Sequence, residues 1–264
     1  RVRGMLTDVA RQLLRAQADA ARIAEREPFV AEREDGLVER LADEPAFLAH
    51  VHALTIEARL ALQLQARSNV DSVLCPLLQE LVASRDEAMA GSAMAALAAQ
   101  ARFIQHHRRM TLPLGELPGD LLHTALLALR GASAEREDAA IAAERGLRDS
   151  FDESRGRLAL LSHLVMRMGK TAPRALNVDH AGLAIFATAL AMASGANRDT
   201  TVVSFSDRQF ARLALAMRAA GLKQPAVEEQ FLYFHPDVTL PDGFGKLSAD
   251  RAAMLLAAPA PRGA

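Results

Sequence analysis

Tryptophan is absent from this sequence, and tyrosine and cysteine occur once each. A single thiol, Cys75, excludes an intrachain disulfide and fits a reducing compartment. Aromatics make up only 4% of the residues, so the material from which sheets are usually built is scarce. No extended β-branched alternation occurs; the nearest approach is Thr200 to Phe205, TTVVSF, which lies between two helical patterns and is expected to be a connection. Every apolar run is broken by charge well before the roughly 20 residues of a transmembrane span, so no membrane segment is expected. Asp8, Arg11 and Arg15 near the start are incompatible with a signal peptide. The first residue is Arg rather than Met, which leaves room for a longer native N-terminus. Charge of one sign is lacking too: Lys and Arg total 31 against 32 Asp and Glu, and the pI is near 6.8. A dedicated nucleic-acid binder normally carries a basic excess, so such a partner is not expected.

Half of the 264 residues are hydrophobic, chiefly alanine and leucine. That composition favours helix and provides a sizeable core. The expected fold is all-α, with about ten helices packed as antiparallel pairs. The clearest helix spans Ser84 to Met110. Ser84 and Glu87 have the spacing of a capping box. Asp86 and Glu87 in the first turn, and Arg108 and Arg109 in the last, complement the helix dipole. Met89, Ala93, Leu97, Ala101 and Ile104 recur at helical intervals, which predicts one buried face and a central position.

Pro45 fits the first turn of another long helix, and Gly131, Gly169, Gly195 and Gly221 follow apolar helical patterns as stops. Val178 to Ser194 is nearly all apolar and is expected to be central to the second half. The proline-framed loop TLPLGELPGD suggests a boundary, giving residues 1–112 and 113–264 as two helical halves or one continuous domain. Asp43-Glu44-Pro45 and Asp86-Glu87 both open long helices after short ones. Their separation of roughly 40 residues fits HEAT-like helical repeats.

Chemistry-bearing motifs are few. Gly169-Lys170-Thr171 ends like a phosphate-binding loop, but Leu164 stands where that motif needs glycine. None of the eight histidines has a partner four residues away, and His50 and His52 are two apart. No metal ligand set and no cofactor are expected. There is no GxSxG, and the adjacent Ser162 and His163 cannot act as a nucleophile–base pair by adjacency alone. Glu135, Glu137 and Asp138 fit a solvated face. His106, His107, Arg108 and Arg109 form the one dense basic stretch, a candidate contact for an acidic partner or phosphates. His163 and His123 each stand alone on a predicted helix. A solitary exposed histidine on a helical docking surface is the minimum that phosphotransfer needs.

The segments VRGMLTDVARQLLRA, AMAALAAQARFIQHHRRM and GLAIFATALAMASG…RLALAMRAAGL resemble the bacterial domain-of-unknown-function family 2336 (DUF2336). The similarity of pattern extends over most of the chain, through alanine-leucine helices. It implies an all-helical scaffold, akin to helical-repeat proteins, in a bacterial cytoplasm, and it assigns no functional residue. The expected function is a non-catalytic scaffold or regulatory module that binds a protein partner, with homo-oligomerisation open. The alternatives are histidine phosphotransfer, or another signalling role, and a small-molecule-binding sensor.

Overall fold

A computed structural model of the chain describes residues 1–206 and 209–258. Its fold is all-α: thirteen α-helices and five short 3-10 helices occur among the described residues, and no strand does. They fall into two compact units. One comprises Arg1–Thr55 with Ala98–Leu160, the other Ile56–Leu97 with Leu161–Ala264.

The first unit is organised on α1 (Val2–Ala20). Its Met5, Leu6, Val9, Leu13, Leu14 and Ala18 recur at helical spacing and are buried. This face packs chiefly on α2 (Arg26–Ala42) and α7 (Glu137–Ser150), with α6 (Gly119–Gly131) alongside. Leu37, Leu41, Phe47, Leu126 and Leu129 complete a core of fully buried side chains. Residues 113–120 lie inside this unit. They are tied to α1: Leu112 N donates to Asp8 Oδ2 at 2.8 Å, Leu114 N donates to Gln12 Oε1 at 3.1 Å, and Leu114 and Leu117 are buried.

The second unit is built around α9 (Val178–Ser194), buried continuously from Ala181 to Ala191. Against it pack α4 (Pro76–Val82), α10 (Arg198–Ser204), α11 (Phe210–Ala219) and a 3-10 helix, Gly169–Leu176. Phe234, from α12 (Gln224–Phe234), stacks on Phe186 and Phe205, which are tilted against each other, with ring centroids 4.6 to 6.0 Å apart. The C-terminal helix α13 (Ala249–Ala257), capped by Ser248, lies on α11. The division between units falls within α3 (Pro45–Ser68), α5 (Glu87–Arg109) and α8 (Arg157–Arg167).

Local signals placed several helix ends well. Gly169, Gly195 and Gly221 have positive φ, the left-handed conformation in which many helices end, whereas Gly131 is the last residue of α6 and the cap that follows it, Ala132, is right-handed. Three expectations need correction. First, the cap of α5 is Asp86 rather than Ser84: its Oδ1 accepts from Ala88 N at 3.0 Å and Met89 N at 3.2 Å. Second, the buried face of α5 runs through Ala93, Ala96, Ala99 and Ile104, while Leu97 is half-buried and Met94 is 51% exposed. Small side chains allow closer approach than leucine, so packing selected the alanine face. Third, TTVVSF contributes to α10 and ends in the fully buried Phe205. Burial of Val202 and the Asn197 cap on Thr200 N outweigh the weak helix propensity of β-branched residues.

Candidate functional site

The basic stretch at the end of α5 does not form one surface. Arg108 and Arg109 are exposed, whereas His107 is buried and His106 half-buried. Successive helical residues point about 100° apart, so four adjacent side chains cannot share a face. His106 Nδ1 lies 2.9 Å from Thr111 Oγ1. Both histidines line a narrow cleft of the first unit with Phe103, Glu116 and Arg157. Arg157 is buried, with its guanidinium 3.7 Å above the centroid of the Phe103 ring and donating to Gln100 Oε1 at 3.1 Å. Its backbone N–H donates to Glu116 Oε2 at 2.8 Å. The buried cation is thus held by an aromatic face and an amide, an arrangement that stabilises packing. Sequence adjacency gave no sign of this cleft, whose walls come from Met5, Leu54 and Leu112 as well.

The two solitary histidines lie in different units. His123, on α6, is exposed, and its Nδ1 is 2.6 Å from Arg148 Nη2. Arg148 also donates to Glu144 Oε1 at 2.9 Å, so this histidine belongs to a surface network. His163, on α8, is exposed beside Met166 and Arg167 in an open depression.

Met166 also lines a second concavity of the second unit. The local sequence dictates its walls. Gly169, at φ +52°, stops α8 and lets the chain turn into the 3-10 helix, in which Pro173 prevents an α-helical continuation. Asn177 then caps α9, its Oδ1 accepting from Asp179 N at 3.1 Å. Between these elements runs a groove of about 370 Å3, lined by Val165, Met166, Pro173, Leu176, Ala189 and Met192 among others, and reaching Ala220 beyond α11. Met166 is 56% exposed and Met192 41%, so flexible apolar side chains stand at its lip.

Of the segments forming this groove, residues 161–178 and 209–227 carry no carboxylate, and α9 carries Asp179 in its first turn. The first of these segments bears Arg167, Lys170 and Arg174. Arg174 is engaged by Glu80, and its Nη2 lies 3.0 Å from His180 Nε2. The hydrogen bond from Arg174 holds the Glu80 carboxyl below its ordinary pKa. Arg167 and Lys170 are exposed.

Among the described residues, no three His, Cys, Asp or Glu side chains converge as a metal site would require. No single described helix is long and apolar enough to cross a membrane. Comparison of the chain with protein-family models, curated proteins and solved structures gave no match.

Proposed function

We propose that this chain is a non-catalytic helical interaction module that binds a protein partner through the groove lined by Met166 and Met192. The observation that supports this reading is an open apolar concavity whose lip exposes two methionines. Met side chains reshape readily and recur on surfaces that receive partner segments. A cytoplasmic location, membership of the bacterial family 2336 and a HEAT-like relationship among the helices belong to the same proposal. Its test is chemical crosslinking and capture from a bacterial extract with the wild-type chain and with Met166→Glu and Met192→Glu. Partners retained by the wild type and lost from both variants, at unchanged melting temperature, support it. Identical capture by all three chains overturns it.

A second reading, histidine phosphotransfer, draws on the exposure of His163 beside the Arg167 guanidinium. A cation adjacent to an exposed imidazole would attract a phosphorylated donor. Acid-labile phosphate retained by the wild type and lost in His163→Gln would favour this reading over the first.

A further inference from the structure

We infer that the segment received by the groove is an amphipathic helix whose apolar face is flanked by Asp and Glu, with Arg167 and Lys170 as its reading heads. This rests on the groove being a docking site, and it names what docks there.

Elimination leads to a helix. Strand addition needs an exposed sheet edge, and no strand occurs among the described residues. Polyproline recognition needs an aromatic-lined groove, and the lining is aliphatic, with Val165, Leu176 and two methionines and no aromatic side chain. Among the modes that bury an apolar side-chain face, the one that fits is that in which an amphipathic helix lays anchors at i, i+3, i+4 and i+7 into an apolar trough. The surrounding helices suit it, because ridges of one helix settle into grooves of others.

Charge sets the flanks. The chain as a whole is balanced, with a net charge of -1. Residues 161–227, from which the groove is formed, nevertheless carry eight Lys and Arg against three Asp and no Glu. Acidic residues are therefore concentrated elsewhere in the molecule. Among the described residues, Arg167 and Lys170 have no ion pair, whereas Arg174 is held by Glu80. Arg167 and Lys170 directly follow Met166 and Gly169, which line the groove, so a partner helix with lysines beside its apolar face would meet like charge there, and one with glutamates opposite charge. The feature is also concave, and a concave trough fits a convex helix better than the plane of a lipid surface.

Two labelled peptides test the inference on the full chain. Both carry leucines at i, i+3, i+4 and i+7; one has glutamate at the flanking positions and the other lysine. Fluorescence anisotropy at low salt should show the glutamate peptide binding about tenfold or more tightly than the lysine peptide. That preference should shrink as salt rises. Joint substitution Arg167→Glu and Lys170→Glu should remove the preference. Met166→Glu, and separately Met192→Glu, should weaken the glutamate peptide, with thermal melts confirming that each variant folds. Equal or tighter binding of the lysine peptide overturns the acidic partner and leaves the groove as a docking site. Absence of binding by either peptide, or binding untouched by both methionine variants, overturns the groove reading as well. Two controls run in parallel. Sedimentation with phosphatidylserine vesicles that is lost on the Arg167→Glu and Lys170→Glu exchange would replace the helix by an anionic lipid surface. A concentration-dependent dimer abolished by Met166→Glu would replace it by a second copy of the chain.

Discussion

Arg198 and Glu57 face each other in the second unit through two parallel hydrogen bonds, Nη1 to Oε2 and Nη2 to Oε1, each 2.9 Å long. The Glu57 side chain is 1% exposed and that of Arg198 12%. Arg198 also donates through Nε to Thr188 Oγ1 at 3.0 Å, so most of its donors are occupied. Burial by itself would lower the Arg198 pKa; the adjacent Glu57 carboxylate more than offsets this, and the net shift is upward. The guanidinium therefore stays charged wherever the fold persists. The pair joins α3 to α10, and the bond to Thr188 ties Arg198 to α9.

Removing one partner of that pair leaves a buried charge. Glu57→Gln or Arg198→Met is expected to cost about 3–5 kcal/mol. Exchanging both for apolar residues of similar volume should cost less than either alone, because no charge is then stranded. Urea denaturation of the single and double variants measures this. A double variant worse than both singles would show that the pair contributes more than charge neutralisation.

Gly182 tests the break inside α9. Its φ is 67° and ψ 162°, a region open essentially to glycine alone. A Cβ there would lie 3.1 Å from Cys75 Cβ and 3.6 Å from Asp71 O. Gly182→Ala should destabilise by about 1–3 kcal/mol from backbone strain alone, with the contact adding to it. Gly91 is the control: it lies within α5, is exposed, and an added Cβ meets nothing within 4 Å. Gly91→Ala should stabilise by about 0.5–1 kcal/mol. Thermal melts giving both variants the same sign would contradict this account.

The thiol of Cys75 carries a pH dependence. Burial is the main cause that pushes it up, from 9.0 to about 11. The unfolded thiol therefore ionises first. The resulting stability is fully present below pH 9.0 and is lost as pH rises towards about 11. The loss should be on the order of 2–3 kcal/mol, and Cys75→Ala should abolish it. Tyr233, raised by burial and then by Asp179 and Glu229, adds a loss of the same sign at higher pH, which Tyr233→Phe would separate. The native thiol should also react slowly with disulfide reagents at neutral pH and rapidly in urea.

On α5 the expected order of effects follows burial rather than side-chain size. Leu97 is only half-buried, so Leu97→Ala should cost less than the roughly 2–5 kcal/mol of a fully buried leucine such as Leu126. Ala96 is fully buried, and Ala96→Leu should cost about 1–3 kcal/mol by overpacking. Denaturant midpoints in the opposite order would place the packed face of α5 through Leu97 after all.

Helix type and several helix ends were legible in the residues themselves. Alanine and leucine content, Pro45 at the start of α3, and Gly169, Gly195 and Gly221 at positive φ act within one or two turns of chain. Such short-range terms need no knowledge of neighbours. Val178 to Ser194 was bounded correctly for the same reason. The acid-free run 161–178 could also be read directly, although its meaning could not.

Tertiary structure decided the rest. α5 offers both a Met89–Leu97 face and an Ala93–Ala96–Ala99 face. The choice between them depends on how closely neighbours approach, which no local pattern records. The break at Gly182 lies against Cys75 and the Asp71 carbonyl, more than a hundred residues earlier in the chain. The groove takes its walls from residues between Val165 and Ala220, and its lip from Met166 and Met192. His163 and Met166 share one side of α8 because they are a helical turn apart, but only the arrival of the 3-10 helix and α9 makes that side a concavity. Propensity and capping are energies of a single segment, and the sequence determines them. Burial, strain and concavity are properties of several segments at once, and they exist only when the chain has packed.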